Sequence, residues 1–267
     1  MGKGLAKATL YGKLNLAEYK GAANFGFIYE TSTTKNDFWN IGDRVVLTDG
    51  REYRYAKSSA ACVSGQGCEF TVVGVNAYTA AGVSQAAGDT QVTIPVSAHS
   101  AFGQNDESLR GGYVVIYDGV GNDVQFRSII GNDATAADVA FVVYLDGPLT
   151  EAVTVGTSAI EAFQNPYAGL RTGTSASLPK AGVPAVKVTA ALTYFWVQTA
   201  GPCWVAPQGT VITKQIGCCW RHDGSLAPAT DGIDAAAAQH ANVASQYAGY
   251  TLEGNYAGIG PLFMLKG

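Results

Sequence analysis

The chain has 267 residues, of which 14% are charged, and its formal net charge is −4. Soluble domains average roughly 25% charged residues, so this composition is typical of a protein that hides much of its surface, either inside itself or against other copies. The acidic balance, and the lack of any Lys/Arg cluster longer than a pair, argue against a nucleic-acid partner.

Residues 1–40 are predicted to form an extended N-terminal arm. They hold five lysines against three acidic residues, a local balance of +2. One interpretation is a solvated, weakly ordered terminus. The other is an arm that docks on an acidic partner surface, which makes four lysines candidate interface residues: Lys3, Lys7, Lys13 and Lys20.

The start of the sequence also bears on export. It has no apolar run of the length that a secretory signal needs. Ala6 stands where a myristoylation signal requires Ser or Thr. We therefore expect no export by the general secretory route.

Residues 41–165 are predicted to form a first β domain. It begins with a hairpin, in which Val45, Val46 and Leu47 form one strand and Asp49–Gly50 lies in the turn, where Gly adopts positive φ freely. Short β-branched runs follow at intervals of roughly ten residues, separated by Gly, Asp, Asn and Pro. That spacing is typical of all-β sandwiches and barrels.

Residues 166–182 are small and polar and are predicted to be a linker. A second β domain is predicted over residues 183–267. The expected fold class is therefore all-β, with two β-sandwich or barrel-like units of short antiparallel strands and an extended N-terminal arm.

Residues 188–213 contain no charged residue. A transmembrane helix needs about 20 predominantly apolar residues, but Thr and Gln side chains and the central Gly201–Pro202 argue against a span, so no membrane partner is expected. A two-residue period from Val186 to Trp196 predicts a strand that is apolar on both faces. With a turn at Gly201–Pro202, the stretch is interpreted as a buried or interfacial hairpin.

Aromatic residues cluster in this hairpin. Tyr and Trp are enriched at interfaces because each offers a large area with a polar tip. Core packing and a ligand platform are the alternatives to a subunit or capsid contact. The candidate interface residues here are Tyr194, Phe195, Trp196 and Trp204.

The five cysteines form no CxxC pair. Cys62 and Cys68, separated by VSGQG, are predicted to lie at the two ends of a turn, where they would either form a disulfide or remain free, buried thiols. The remaining potential metal ligands cluster at Cys218, Cys219 and His222, but their spacing does not support a zinc site.

No catalytic motif is present. The sequence contains no G-x-S-x-G elbow, P-loop, dinucleotide-binding fingerprint or H-E-x-x-H. Most carboxylates fall in predicted turns, where aspartate usually bonds its own backbone. We therefore expect a protein that is not an enzyme and that uses no cofactor or metal.

Five segments, taken in their order along the chain, resemble structural proteins of tailed bacteriophages that cement or decorate the capsid. They begin with GDRVVLTDGREYRYAKSS and end with YTLEGNYAGIGPLFMLKG; their ranges are 42–59, 144–150, 165–170, 182–203 and 250–267. The sequence departs from that pattern at CVSGQGC and GCCWRHDG, where four cysteines indicate local specialisation, such as disulfides in the mature particle.

The resemblance implies a non-enzymatic virion component. It would be β-rich, a homotrimer on the outer capsid surface, made in the host cytoplasm, and its partners would be the major capsid protein and its own copies. The composition is equally compatible with a tail, baseplate or fibre subunit. A carbohydrate-binding adhesive β module is a third hypothesis, in which exposed aromatic side chains would stack on sugars.

Overall fold

The structure of the chain is a computed structural model. It describes residues 25–47, 49–71, 75, 79–95, 108–117, 123–134, 136, 139–173, 178–207, 217–229, 246–253 and 262–266. Over these residues the fold is all-β, without a helix of seven residues or more, and two antiparallel sheets each curl into a half-barrel. The predicted fold class of two β units is confirmed.

The strands are short, as the frequent Gly, Asp and Pro punctuation predicts. In chain order they are β1 Arg44–Val46, β2 Glu52–Lys57, β3 Cys68–Phe70, β4 Thr79–Ala80, β5 Gln91–Ile94, β6 Tyr113–Tyr117, β7 Val124–Asn132, β8 Phe141–Leu145, β9 Ala159–Phe163, β10 Leu170–Thr172, β11 Lys180–Pro184, β12 Tyr194–Trp204, β13 Gly217–Trp220, β14 Leu226–Pro228, β15 Tyr247–Glu253 and β16 Leu262–Leu265. Two 3-10 helices are also described, Phe25–Tyr29 and Pro166–Gly169.

The chain forms two compact units, and the sequence of unit 2 is inserted between the two segments that make up unit 1. Unit 1 comprises Met1–Thr71 together with Tyr167–Gly267, and unit 2 comprises Val72–Pro166. We expected consecutive domains at 41–165 and 183–267. The division differs because the N-terminal hairpin β1–β2 pairs with β12, far along the chain, and so belongs with the C-terminal half.

Unit 1 contains a ten-stranded sheet in which β12 holds the central position. Its first part pairs with β2 on one side and β11 on the other, and its last four residues pair with β16. Strands β15, β13 and β14 extend the sheet beyond β16, while β3 and β10 extend it beyond β11. Both faces of β12 are apolar because each is covered within the unit: Phe195 and Val197 lie in one core cluster and Trp196 lies in another.

The predicted turn at Gly201–Pro202 is wrong, because β12 runs through both residues. Gly201 has φ of 88°, and a Cβ there would lie 2.5 Å from the carbonyl oxygen of Gly50, so the strand passes close to the hairpin turn only with glycine at this position. Pro202 is tolerated because, within the described residues, β12 has a ladder partner only on its β16 side at this point.

The predicted linker and arm are also built into unit 1 where they are described. Leu170–Thr172 and Lys180–Pro184 are strands that pair with β3, so residues 166–182 contribute to the sheet rather than linking two domains. Residues 25–40 do not extend away from the unit, since Ile28 has no exposed surface and Ser32 bridges to Tyr194. The rest of the predicted arm, residues 1–24, lies outside the described residues.

Unit 2 contains a six-stranded sheet in the order β4-β9-β6-β7-β8-β5. Alternate residues of its strands point into a single core, as the period of two requires. Val114 and Ile116 of β6 pack there with Ile160 of β9 and Val143 of β8, and all four are almost fully buried. The intervening residues of these strands make up the outer face of the sheet.

Candidate functional site

Two of the proposed interface residues, Phe195 and Trp196, lie in the interior of unit 1. Phe195 has no exposed surface and packs in a cluster with Cys68 and Leu170, while Trp196 is 2% exposed. Phe195 and Trp196 belong to two different core clusters, so both side chains are covered within the chain itself. Neither residue offers surface to a partner, and core packing is the interpretation that holds for both.

Trp196 is the centre of an aromatic cluster, which we define as Trp196, Phe27, Trp39 and Tyr55. The ring centroids of Trp39, Tyr55 and Phe27 lie 4.9, 5.2 and 5.7 Å from that of Trp196. These separations fall in the favourable range for edge-to-face and tilted aromatic pairs. The cluster joins the segment before β1 to the hairpin and to the central strand.

Tyr194 is half-buried at the start of β12. Its ring stacks on Tyr55 at 5.8 Å, and the ammonium of Lys57 lies 5.4 Å from the ring centroid. The backbone N–H of Tyr194 donates to the carbonyl of Ser32 at 2.7 Å. These contacts occupy Tyr194 within its own chain.

Trp204, at the other end of β12, is 48% exposed. Its six-membered ring lies against Gly65, since a Cβ added to Gly65 would fall 2.1 Å from the nearest ring carbon. The ring therefore packs directly against a glycine, while nearly half of the residue remains exposed to solvent. Trp204 is the one proposed aromatic interface residue with a large accessible surface.

The exposed apolar surface continues from Trp204 across the neighbouring strands. Leu262 of β16 pairs directly with Trp204 and is also 48% exposed. Met264 of β16 pairs with Tyr250 of β15, and Tyr250 and Tyr247 are about half exposed. Directly paired residues point to the same side of a sheet. We call this surface the Trp204 face, and its members are Trp204, Leu262, Met264, Tyr250 and Tyr247.

Four members of the Trp204 face were missed by the sequence analysis. A partial signal for them exists, because Leu262 and Met264 are two residues apart. Tyr247 and Tyr250 are three residues apart, and a register shift between β13 and β15 places both on one side of the sheet. That alternation predicts which residues share a face but not whether anything covers the face. The exposure of these side chains in the folded unit supplies the missing information.

A buried ion-pair network surrounds Glu69 of β3, a strand that is separated from β12 by β11 in the sheet. The Glu69 carboxylate has no exposed surface; it accepts hydrogen bonds from Lys180 Nζ at 3.1 Å and from Arg171 Nε at 2.9 Å. Lys180 Nζ also donates to the carbonyl of His222 at 2.7 Å. The network therefore ties β3, β10 and β11 to the turn that follows β13.

Cys62 and Cys68 are both buried and both free thiols. Their side chains meet, as the turn between them predicts, and burial together with this contact raises the pKa of Cys68. Cys62 Sγ also lies 3.8 Å from the carbonyl oxygen of Leu170. The two residues pack as free core thiols in the structure, which is the second of the two alternatives that the sequence left open.

Thiol reactivity should follow this burial. Burial raises the pKa of Cys203 to about 12 and that of Cys218 to about 11, so both stay protonated and unreactive at pH 8. We expect a thiol reagent such as DTNB to modify at most one cysteine quickly in the native protein, the partly exposed Cys219, and all five in denaturant.

The control for this measurement is Cys219→Ser, which should remove the fast phase without changing the slow one. A denatured, unreduced sample in which only three thiols react would contradict the assignment of Cys62 and Cys68 as free thiols.

Three remaining expectations concern lysines, metals and membranes. The lysines proposed for docking (Lys3, Lys7, Lys13 and Lys20) lie outside the described residues. Within the part of the chain that the structure describes, no group of three or more His, Cys, Asp and Glu side chains could hold a metal ion. Across that same part, no helix combines the length and the apolarity that crossing a membrane requires.

Among the described residues, the Trp204 face is thus an accessible surface of apolar and aromatic side chains on a β unit with a buried core. Comparison with known proteins adds no relative: no family model, curated protein or solved structure matches the chain.

Proposed function

We propose that this chain is a non-enzymatic virion structural protein of a tailed bacteriophage, a capsid cement or decoration protein. It binds the outer capsid surface as a homotrimer and reinforces contacts between major capsid protein subunits. It is made in the host cytoplasm and carries out its role on the virion. The observation that carries the proposal is the Trp204 face, an apolar surface left open on an otherwise well-packed unit.

The composition of this face supports a protein contact. Soluble monomers rarely leave contiguous apolar patches open unless they bind something. Trp and Tyr dominate the energetics of protein interfaces because they bury a large area at a low cost in side-chain entropy. Three of the five members of the face are Trp204, Tyr250 and Tyr247.

The packing behind the face suits reinforcement. Phe263 and Leu265, the residues of β16 that alternate with the face, are buried against Cys203, Trp220 and Leu226. A face backed by a close-packed core does not need to order itself on binding, so less of the interaction energy is lost to conformational entropy. Such a preorganised face suits a protein that holds neighbouring subunits in place.

Capsid binding can be tested by adding the purified protein to particles that lack it and sedimenting the mixture. We expect Trp204→Ala to weaken the binding about 30-fold, as removal of a hot spot of about 2 kcal/mol would. The matched control is Phe38→Ala, since Phe38 is 76% exposed but lies outside the face.

Copy number gives a second, independent readout. A cement protein should be present in purified particles at a copy number close to that of the major capsid protein, and it should remain on capsids that lack tails. Equal binding of the Trp204→Ala and Phe38→Ala variants would reject the Trp204 face as the contact. Absence of the chain from tailless capsids would reject the cement function and favour a tail, baseplate or fibre subunit.

One observation favours the adhesive module as a second candidate function. The Trp204 ring packs against Gly65 and the residue is 48% exposed, so part of the indole is accessible to a sugar ring that stacks on it. A glycan-array signal that Trp204→Ala abolishes would support this function. The same substitution would then leave capsid binding unchanged.

A further inference from the structure

The outer face of the six-stranded sheet in unit 2 is apolar, although it is not part of the core. Val124 and Phe126 of β7 are 55% and 56% exposed. In an antiparallel sheet that is covered on one side only, alternate residues facing solvent are normally polar. Here the alternate residues of β6 are Tyr113, Val115 and Tyr117, all partly exposed.

Strand register shows that these residues form one continuous surface. Val115 pairs with Phe126 of β7 on one side and with Glu161 of β9 on the other, and Tyr117 pairs with Val124. The ring of Tyr113 stacks on that of Phe126 at 5.3 Å. We call this surface the Phe126 face, and its members are Tyr113, Val115, Tyr117, Val124 and Phe126.

The charge of the chain is divided unequally between the two units. Unit 2, Val72–Pro166, contains ten Asp and Glu residues against two arginines and no lysine, a net charge of −8. The chain as a whole has a net charge of −4, so unit 1 has +4. Of the acidic residues, Glu161 pairs with Val115 and so lies beside the Phe126 face, and Asp123 directly precedes Val124 in the sequence.

Residues 1–24 have the complementary character. They contain four lysines against a single acidic residue, Glu18, a net charge of +3. Apolar residues are interleaved with these lysines, among them Leu5, Leu10, Leu14 and Leu16. A basic segment with apolar side chains matches an apolar face with acidic neighbours, because burial and charge then favour the same contact.

Phe25, the first described residue, packs its side chain against the core cluster that contains Trp196. From that point 24 residues can extend about 80 Å at most, which is far enough to reach another molecule. The low share of charged residues in the whole chain, 14%, is typical of surfaces that are hidden against other copies.

We propose that residues 1–24 of one copy bind the Phe126 face of a second copy. The apolar side chains of the segment cover Phe126 and Val124, and its lysines pair with the acidic surface of unit 2. The contact joins copies of this chain to each other and goes beyond the proposed function, since it forms in the absence of capsids.

The first test is sedimentation velocity of the full chain and of a chain that begins at residue 25, both over a range of concentrations. The shorter chain keeps every contact of the described residues, so it should fold and give the same β-rich circular dichroism spectrum. We expect the full chain to associate and the shorter chain to remain monomeric. A monomeric full chain, or equal association of the two chains, would overturn the proposal.

The second test locates the contact. A fluorescent peptide of residues 1–24 is titrated into the chain that begins at residue 25, and its anisotropy is measured. We expect saturable binding that weakens at least tenfold in Val124→Lys and in Phe126→Lys, and also when the four peptide lysines are replaced by glutamine. Raising the salt concentration should weaken the binding as well.

The matched control is Val155→Lys. Val155 is 50% exposed, close to the 55% of Val124, and lies in the same unit but outside the sheet. The two variants thus make the same chemical change at similar exposure. Peptide binding that responds equally to both variants, or to neither, would overturn the assignment to the Phe126 face.

Discussion

Replacing Trp196 by alanine is expected to lower the free energy of unfolding by about 3–5 kcal/mol, the usual cost of deleting a large buried aromatic side chain. Trp196 is 2% exposed, and three other rings pack against it at 4.9 to 5.7 Å. The cavity would lie where the segment containing Phe27 and Trp39 meets β2 and β12, so few neighbouring groups can collapse into it. Urea denaturation followed by far-UV circular dichroism measures the change.

Trp204→Ala is the matched control, because it removes the same side chain from the same strand. Trp204 is 48% exposed and is expected to contribute about 1 kcal/mol or less to stability. If Trp196→Ala instead gave a stable protein that had lost only its ability to associate, Trp196 would have to lie at a subunit contact. The core position described above would then be contradicted.

These two tryptophans show where sequence reasoning stops. They lie eight residues apart, so alternation alone assigns both to one face of a strand. Trp196 is buried because Phe27 and Trp39, from a distant part of the sequence, pack over it, whereas Trp204 rests on Gly65 and remains open. Which part of a face is covered depends on long-range packing, and no local pattern records it.

Local features were predicted well by comparison. The β1–β2 hairpin follows from alternation and from a turn at Asp49–Gly50, in which Gly50 adopts φ of 86°. The pairing of β2 with β12 joins residues as distant as Lys57 and Tyr194 and could not be read from either segment. Because this pairing has no local signal, consecutive domains were expected. The pairing instead joins the N-terminal hairpin to the C-terminal half, so unit 1 is built from two separate segments of the sequence.

Gly201–Pro202 failed as a turn signal for a related reason. The dipeptide is compatible with a turn and with an irregular strand edge, and its local chemistry does not distinguish the two. The structure uses the glycine for the close approach to the carbonyl of Gly50 and places the proline opposite Met264. The continuation of β12 past these residues is what places Trp204 beside Leu262 and so creates the Trp204 face.

Lys180→Met is expected to be the second strongly destabilising change, with a loss of about 3–5 kcal/mol in the free energy of unfolding. The substitution keeps most of the apolar length of the side chain but removes the charge 3.1 Å from the fully buried Glu69 carboxylate. It also removes the donor to the carbonyl of His222. Glu69 would keep only the partly exposed Arg171 as a charged partner, and this is costly because water cannot replace the lost interaction with Lys180 in the interior.

Two further variants separate the buried charge from simple packing. Arg171→Met removes the other partner of Glu69, but the Arg171 side chain is 42% exposed, so we expect a loss of about 1 kcal/mol or less. The double variant Glu69→Met/Lys180→Met should be more stable than Lys180→Met, because it no longer buries a carboxylate that has lost its buried partner. A double variant that is less stable than Lys180→Met would show that the loss comes from packing alone.

Lys180→Met should also weaken capsid binding, whereas Arg171→Met should not. The reason is that the network anchors the turn after β13, and β13 pairs with β15 of the Trp204 face.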